Sequence, residues 1–413
     1  MMIRPDLPFV DAAGDTRFVL VTFEAPRGQA ATNRPPIDVA FAIDCSGSMS
    51  GPKIVLATEA VSVALRLLQP TDTFAIVGYD NEIYDVWPLS AATPEHVRSA
   101  DRRLRALEGG GTTALEEGWR RAAGQVAGTR AGEHHRRTLL LTDGLANVGI
   151  TDPTALIALG REWREKGVVT TAFGVGSDFD ERLLQGIADA GQGHFYFVER
   201  AEQIPDLLTS ELGETLETVA RDVWVDVALP AGASLAVLGK ASVSAAPAGG
   251  ISVSLGDLTS AEVVSILLAV TLPATDPGSV HTVRWSLRDR EGALSVAPAA
   301  TSWAVHAAGE QPDATPDAEV LRERARARLW MTREQALEAN RSGDYSRARS
   351  ILMQFRAEFS GVADADVEGL MQASLDDDAV FAVPMRAMEQ KRQHFAASSA
   401  QRRRAADGKA RKA

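Results

Sequence analysis

The sequence predicts an α/β domain with a doubly wound, mostly parallel sheet, inserted into an antiparallel β-sandwich and followed by a C-terminal helical segment. Three observations predict it. Across residues 37–216, short apolar runs alternate with amphipathic helical patterns, which describes a sheet covered by helices on both faces. From about residue 220 the helical period gives way to short strand candidates between Gly/Pro turns, as in a sandwich. A strand-like segment, residues 16–25, stands ahead of the α/β region without a partner in it, so it is expected to cross to the sandwich.

The elements follow in order. In residues 16–25, Val19, Val21 and Phe23 alternate with Phe18, Leu20 and Thr22, a period-2 pattern. A Gly/Asn/Pro-rich linker ends at Pro35 and Pro36. The run IDVAFAI (37–43) is a buried strand. A helix over 53–68 then places Ile54, Ala57, Val61, Ala64, Leu65 and Leu68 on one stripe. Strands are expected at 73–79, 138–142, 168–175 and 193–198, with 82–87 as an edge strand. Helices are expected at 94–107, 114–124, 154–165, 181–190 and 201–216. Sandwich strands are expected at 222–229, 234–238, 251–255, 263–272, 282–287 and 301–305.

Beyond a second linker, Leu321, Ala325 and Leu329 share a helix face flanked by Arg322, Arg324, Arg326 and Arg328. A further helix over 345–359 buries Tyr345, Ala348, Ile351, Leu352 and Phe355, and the joint SGDY pairs a Gly stop with an Asp start. One such hairpin without a second copy does not make a repeat array. The expected division is 1–34 (N-terminal strand of the sandwich), 35–218 (α/β domain), 219–308 (sandwich), 315–400 (helical segment) and 401–413 (basic flexible tail).

Composition narrows the function. A chain of 413 residues is too long for one core. Apolar content of 45% and charged content of 24% exclude wholesale disorder. No run approaches the roughly 18 apolar residues of a membrane span. Asp6 and Asp11 interrupt any secretory signal, so a cytoplasmic protein is expected. The single Cys45 excludes an internal disulfide and a cysteine-based zinc site. The net charge of −12 includes a tail of six basic residues and one acidic, which leaves −17 on residues 1–400. Such a body repels nucleic acid, and none is expected as a partner.

The chemistry concentrates in three loops. Asp44-Cys45-Ser46-Gly47-Ser48 follows the first buried strand, at the carboxyl edge where open α/β sheets bind ligands. One carboxylate and two hydroxyls there suit a hard cation, Mg²⁺ by default, with Mn²⁺ or Ca²⁺ as alternatives. The same residues could instead cap the next helix. GGGTTAL (109–115) opens a helix at what reads as a second strand-to-helix crossing, and Leu140-Leu141-Thr142-Asp143-Gly144 ends another strand with a carboxylate. Cys45, between Asp44 and Ser46, is expected to pack as a small hydrophobe. Trp119, Trp163, Trp224, Trp285, Trp303 and Trp330 are expected as core anchors, and Trp87 as a surface aromatic.

D-x-S-x-S, G-G-T-x-L and L-T-D-G in this order resemble the von Willebrand factor type A domain with its metal-ion-dependent adhesion site, over about residues 37–216. The resemblance implies Asp44, Ser46, Ser48, Thr113 and Asp143 as the metal residues. Matching G-G-T-x-L-x-x-G to Gly110, Gly111, Leu115 and Gly118 selects Thr113, next to an adjacent Thr112. In that family the first three would be direct or near-direct ligands, Thr113 direct or water-mediated, and Asp143 mostly water-mediated. Sandwich, inserted domain and trailing helices resemble, in organisation only, bacterial and inter-alpha-trypsin-inhibitor heavy-chain-like members.

The implied function is non-enzymatic: Mg²⁺-dependent protein–protein interaction, with a partner Glu or Asp completing the coordination sphere. A second class is an adaptor or regulatory subunit of an AAA+ ATPase, as in chelatase-like pairs. A metal hydrolase would need a general base, and no His lies in the three loops. His134 and His135 sit in AGEHHRR, read as a solvated connection. No serine triad and no nucleotide-binding glycine motif is visible.

Overall fold

A computed structural model of the chain describes residues 1–28, 35–129, 134–247, 249–310 and 312–401, with side chains as far as residue 397. Residues 29–34 of the expected linker and 402–413 of the expected basic tail lie outside the described residues. The chain divides into two compact units, residues 29–217 and residues 1–28 with 218–413.

In the second of these, the chain begins with three strands, β1 (Met2–Pro5), β2 (Phe9–Asp11) and β3 (Asp15–Glu24). Sequence reasoning found only β3, because β1 and β2 are too short to show a period. The first unit follows, with β4 (Ile37–Asp44), α1 (Pro52–Leu65), β5 (Thr73–Tyr79), β6 (Ile83–Ala91), α2 (Pro94–Leu104) and α3 (Leu115–Ala127). It continues with β7 (His135–Thr142), α4 (Pro153–Glu165), β8 (Val168–Val175), α5 (Glu181–Ala190), β9 (Gln192–Val198) and α6 (Ile204–Leu216).

Its six strands are ordered β6-β5-β4-β7-β8-β9. All neighbours are parallel except β5–β6, and β6 stands at one edge of the sheet. The doubly wound expectation holds. The chain steps outward from β4 to β5 and β6, then returns to the other side of β4 as β7. The order therefore switches between β4 and β7, the position at which such sheets open a crevice beyond their carboxyl ends.

β4 is buried along its whole length. Ile37, Val39, Phe41 and Ile43 join Ile54, Val61 and Leu65 of α1 and Leu208 and Leu212 of α6 in one core. The alternate residues of β4, ending in Asp44, belong to the opposite face of the sheet, where α3 packs over β4, β5 and β7.

The other unit continues with β10 (Thr218–Ala228), β11 (Ser234–Leu238), β12 (Val243–Ala245), β13 (Ile251–Thr259), β14 (Val263–Leu272), β15 (Val280–Arg288) and β16 (Ala299–His306). One sheet is ordered β1-β3-β14-β11 and the other β12-β13-β10-β15-β16-β2. β3 runs antiparallel to β14 over ten residue pairs, from Asp15↔Leu272 to Glu24↔Val263. The α/β domain is thus inserted between β3 and the strands that complete its sheet. One pair departs from the antiparallel pattern: β2 runs parallel to β16, because the chain leaves β1 through residues 6–8 and joins the facing sheet. Val19 and Val21 of β3, Ile266, Leu268 and Val270 of β14, and Val225, Trp285 and Trp303 of the facing sheet fill the space between them.

The helical segment is α7 (Ala318–Arg341), α8 (Tyr345–Phe359), α9 (Ala365–Phe381) and α10 (Ala387–Gln401). The arginines of α7 bind outward neighbours: Arg324 and Arg328 hold Glu358 of α8, and Arg322 holds Asp364 before α9. Val320 and Ala327 pack with Leu20 and Leu267 of the first sandwich sheet.

Three side-chain expectations need correction. His134 bonds Asp38 through Nδ1 at 2.9 Å, and His135 opens β7 as a buried residue, so residues 135–137 of that polar stretch are already strand. Trp87 is half-buried and stacks on Phe74 at 6.3 Å between ring centres, with the Arg103 guanidinium over it. Trp224 and Trp330 are half-buried under Arg288 and Arg333, while Trp119, Trp163, Trp285 and Trp303 are core anchors as expected.

Candidate functional site

The carboxyl ends of β4 and β7, on either side of the switch, bring the sequence-flagged side chains together. β4 delivers Asp44 at its last residue, fully buried. Its Oδ1 accepts the Ser46 amide at 2.8 Å, and its Oδ2 accepts the Thr142 hydroxyl at 2.6 Å. The first bond is an Asx turn that folds the loop back over the strand end. Ser46 Oγ lies 3.1 Å from Ser48 Oγ, and Ser48 Oγ donates to Asp143 Oδ1 at 2.6 Å. Asp143, directly after β7, is also fully buried. Asp44, Ser46, Ser48 and Asp143 thus form one continuous cluster of oxygens.

Thr113 enters from a third loop. That loop is not a strand-to-helix crossing, as the sequence suggested: it joins α2 to α3. The error arose because a glycine run carries no signal of what precedes it. Backbone bonds pin the loop to the sheet edge, Gly110 N–H to Cys45 O at 2.7 Å and Ala114 N–H to Asp80 O at 2.7 Å. Gly109 is required because a Cβ there would collide with the Ser50 backbone, and Gly111 has φ +73°. Thr112 is exposed while Thr113 is buried. A side chain at Gly144 would meet Thr113 Oγ1 at 3.4 Å and Ser48 Oγ at 3.8 Å, so Thr113 faces the cluster and Gly144 leaves it open.

Three residues of the site were missed. Thr142 orients Asp44, as above. Asn147 accepts the Thr113 amide through Oδ1 at 2.8 Å, while its own backbone N–H bonds Thr113 O at 3.2 Å. Lys53, in the first turn of α1, ion-pairs with Asp143 Oδ2. Thr142 lies inside the L-T-D-G motif, and Lys53 could have been flagged as a cation at a helix start. Asn147 carried no signal.

Burial pushes the Asp44 carboxyl above the ordinary value, against the bonds from Ser46 and Thr142 that lower it, and the charge of Asp143 raises it further. Two buried carboxylates joined by hydroxyls, with Gly47 and Ser48 exposed, form an all-oxygen donor set. That donor set fits a hard divalent cation.

Among the described residues a second cluster of metal-ligand type, His194, Glu211 and Glu214, also occurs in this domain. Glu211 accepts from Thr171, Tyr196 and His194 at 2.7–2.8 Å and lies 3.5 Å from the Arg137 guanidinium. Its oxygens are engaged and a cation already stands beside it, so it is a buried structural network.

The model of the von Willebrand factor type A domain matches residues 38–210. This part of the chain is a von Willebrand factor type A domain. The uncharacterized protein YfbK of Escherichia coli (strain K12) is 32% identical over 197 residues, 47% of this chain and 34% of that protein. Human inter-alpha-trypsin inhibitor heavy chain H3 is 33% identical over 142 residues, 32% of this chain and 15% of that protein. The chain therefore spans about a third or less of the length of these curated relatives. The solved von Willebrand factor type A protein from Catenulispora acidiphila superposes with a TM-score of 0.68 at 19% identity, covering 93% of this chain and 97% of that one. The ArnB paralog VWA2 from Sulfolobus acidocaldarius gives 0.60 at 15%, covering 95% and 97%. The likeness at this identity is one of fold, and it extends beyond the von Willebrand domain to the sandwich and helices. No helix among the described residues is long and apolar enough to cross a membrane.

Proposed function

We propose that the von Willebrand domain is a non-enzymatic, divalent-metal-dependent protein-binding module. Asp44, Ser46, Ser48, Thr113 and Asp143 would hold the ion, Mg²⁺ first, with Mn²⁺ or Ca²⁺ as alternatives. The observation that carries this reading is the pairing of two fully buried carboxylates, Asp44 and Asp143, through the Ser46 hydroxyl and the exposed Ser48 hydroxyl. Lys53 on Asp143 offsets only one of the two buried charges, and the net negative charge that remains is costly to bury without a further cation.

A divalent ion held there would supply a hard cationic centre for a carboxylate oxygen of a partner Glu or Asp. The protein's own groups do the rest. Thr142 and the Ser46 amide keep Asp44 aimed, Asn147 keeps Thr113 facing the cluster, Gly109 and Gly111 let the 109–114 loop pack against Ser50 and Asn81, and Gly144 adds no side chain beside Thr113 and Ser48. Exposed Leu145 and Ile150 lie in the loop that follows Asp143 and would be available to whatever arrives. None of the clustered groups is a histidine or another base suited to activating water, which favours binding over turnover.

Calorimetry with Mg²⁺, Mn²⁺ and Ca²⁺ on the full chain, wild type beside Asp44→Ala, tests the metal. Wild type should bind at one site and the variant should not, with circular dichroism unchanged. Loss of fold in the variant would make Asp44 a structural cap instead. Pull-down from lysate with Mg²⁺ or with EDTA tests the partner, and stimulated ATPase activity in the captured protein would select the AAA+ adaptor reading. Mg²⁺-dependent hydrolysis of an ester or phosphoester, lost in Asp44→Ala, would overturn the binding-module reading.

A further inference from the structure

We propose that Lys53 is a built-in counter-ion that competes with a divalent cation for Asp143 and so sets how tightly the site takes up metal. The proposal rests on the metal-binding reading above and concerns a residue outside its ligand set.

Lys53 is the second residue of α1, after Pro52 and a Gly51 with φ +79°. The first turn of that helix carries no acidic side chain. A cation there opposes the helix dipole, whose positive end is the N-terminus, so helix stability does not account for it. What the ammonium does reach is Asp143 Oδ2. Asp143 Oδ1 already holds Ser48 Oγ, so both oxygens of this buried carboxylate are engaged, one by a neutral hydroxyl and one by a charge.

The two ends of the ion pair differ. The Asp143 side chain is 0% exposed and that of Lys53 is 29% exposed. The carboxylate cannot leave, whereas the lysine can withdraw into water on its flexible stem. Gly176, just after β8, lies beside the stem, where an added Cβ would be in ordinary contact at 3.6 Å from Lys53 Nζ and 3.8 Å from Cε.

Charge counting gives the consequence. Asp44, Asp143 and Lys53 together carry −1, so the ammonium halves the negative charge offered to a metal. A divalent ion must displace the lysine or bind beside it, and either weakens uptake. If the lysine stays, the loaded site carries +1 and favours an anionic oxygen from a partner; if it withdraws, the site is neutral.

The test uses the full chain, titrated calorimetrically with Mg²⁺ and Mn²⁺, and melted in EDTA and in excess Mg²⁺. Lys53→Met should bind both ions about ten-fold tighter than wild type, the scale of a partly buried ion pair. It should melt lower in EDTA, because Asp143 loses its counter-charge, and recover in Mg²⁺. Lys53→Arg, which keeps the charge, should stay near wild type. A purely structural role for the stem would lower stability in both conditions and leave or weaken metal affinity. Unchanged or weaker affinity in Lys53→Met, beside a wild type that binds metal, overturns this proposal alone. A wild type that binds neither ion overturns the metal reading and this proposal with it. Lys53→Gln supplies the same readout should Lys53→Met fail to fold.

Discussion

Ser48 Oγ and Asp143 Oδ1 meet at 2.6 Å across 95 positions of sequence. That bond ties the loop after β4 to the loop after β7, the two strands between which the sheet order reverses. The site is therefore a property of the switch point, and its geometry depends on β4 and β7 holding their parallel register from Ile37↔His135 to Ile43↔Leu141.

Thr113 and Thr112 should separate in their effect on metal. Thr113 is buried against the cluster and Thr112 is exposed. Thr113→Ala should weaken Mg²⁺ binding about ten-fold or more, the usual cost of disturbing a ligand or its support, and Thr112→Ala should leave it within error. Calorimetry on the two variants checks this, and the reverse order would shift the motif register by one.

Gly118 should tolerate no side chain. It lies in α3 where an added Cβ would overlap the Tyr79 ring, and Tyr79 is buried with its hydroxyl donating to Leu141 O at 3.2 Å. Gly118→Ala should cost about 1–3 kcal/mol, the range for overpacking, despite raising helix propensity. Urea unfolding measures it, and a stabilised variant would refute the packing argument.

Cys45 should be inert in the native protein. Its thiol is buried, and burial pushes its pKa up to about 12, with the Asp44 charge adding to the rise. Because the thiolate is the reactive form, thiol reagents at pH 8 should label Cys45 only after denaturation. Rapid labelling of the folded chain would contradict this.

Removing the N-terminal strands should damage the sandwich and spare the inserted domain. β3 lies between β1 and β14, so a fragment of residues 219–310 would expose β14 as an unpaired edge. That fragment should aggregate, whereas residues 35–218 should fold alone and bind Mg²⁺. Size-exclusion chromatography and circular dichroism decide both, and a stable monomeric 219–310 would be the adverse result.

What the sequence determined by itself was whatever local period or local chemistry encodes. Strands β4, β5 and β8 and helix α5 are legible because apolar side chains recur at the spacing of the element, and Asp44, Ser46 and Ser48 are legible because three oxygen donors alternate within one turn. The unpartnered β3 even implied an insertion, since a strand needs a neighbour. Tertiary structure alone decided the rest. β1, β2 and β12 have three or four residues each, too few for a period, and exist because a neighbouring strand offers them hydrogen bonds. Whether Thr112 or Thr113 turns inward depended on how the 109–114 loop is pinned to Cys45 and Asp80, and that pinning joins positions dozens of residues apart. Nothing local joins Lys53 to Asp143, 90 positions away in sequence; only the tertiary fold, which sets the start of α1 beside the end of β7, puts its ammonium on that carboxylate.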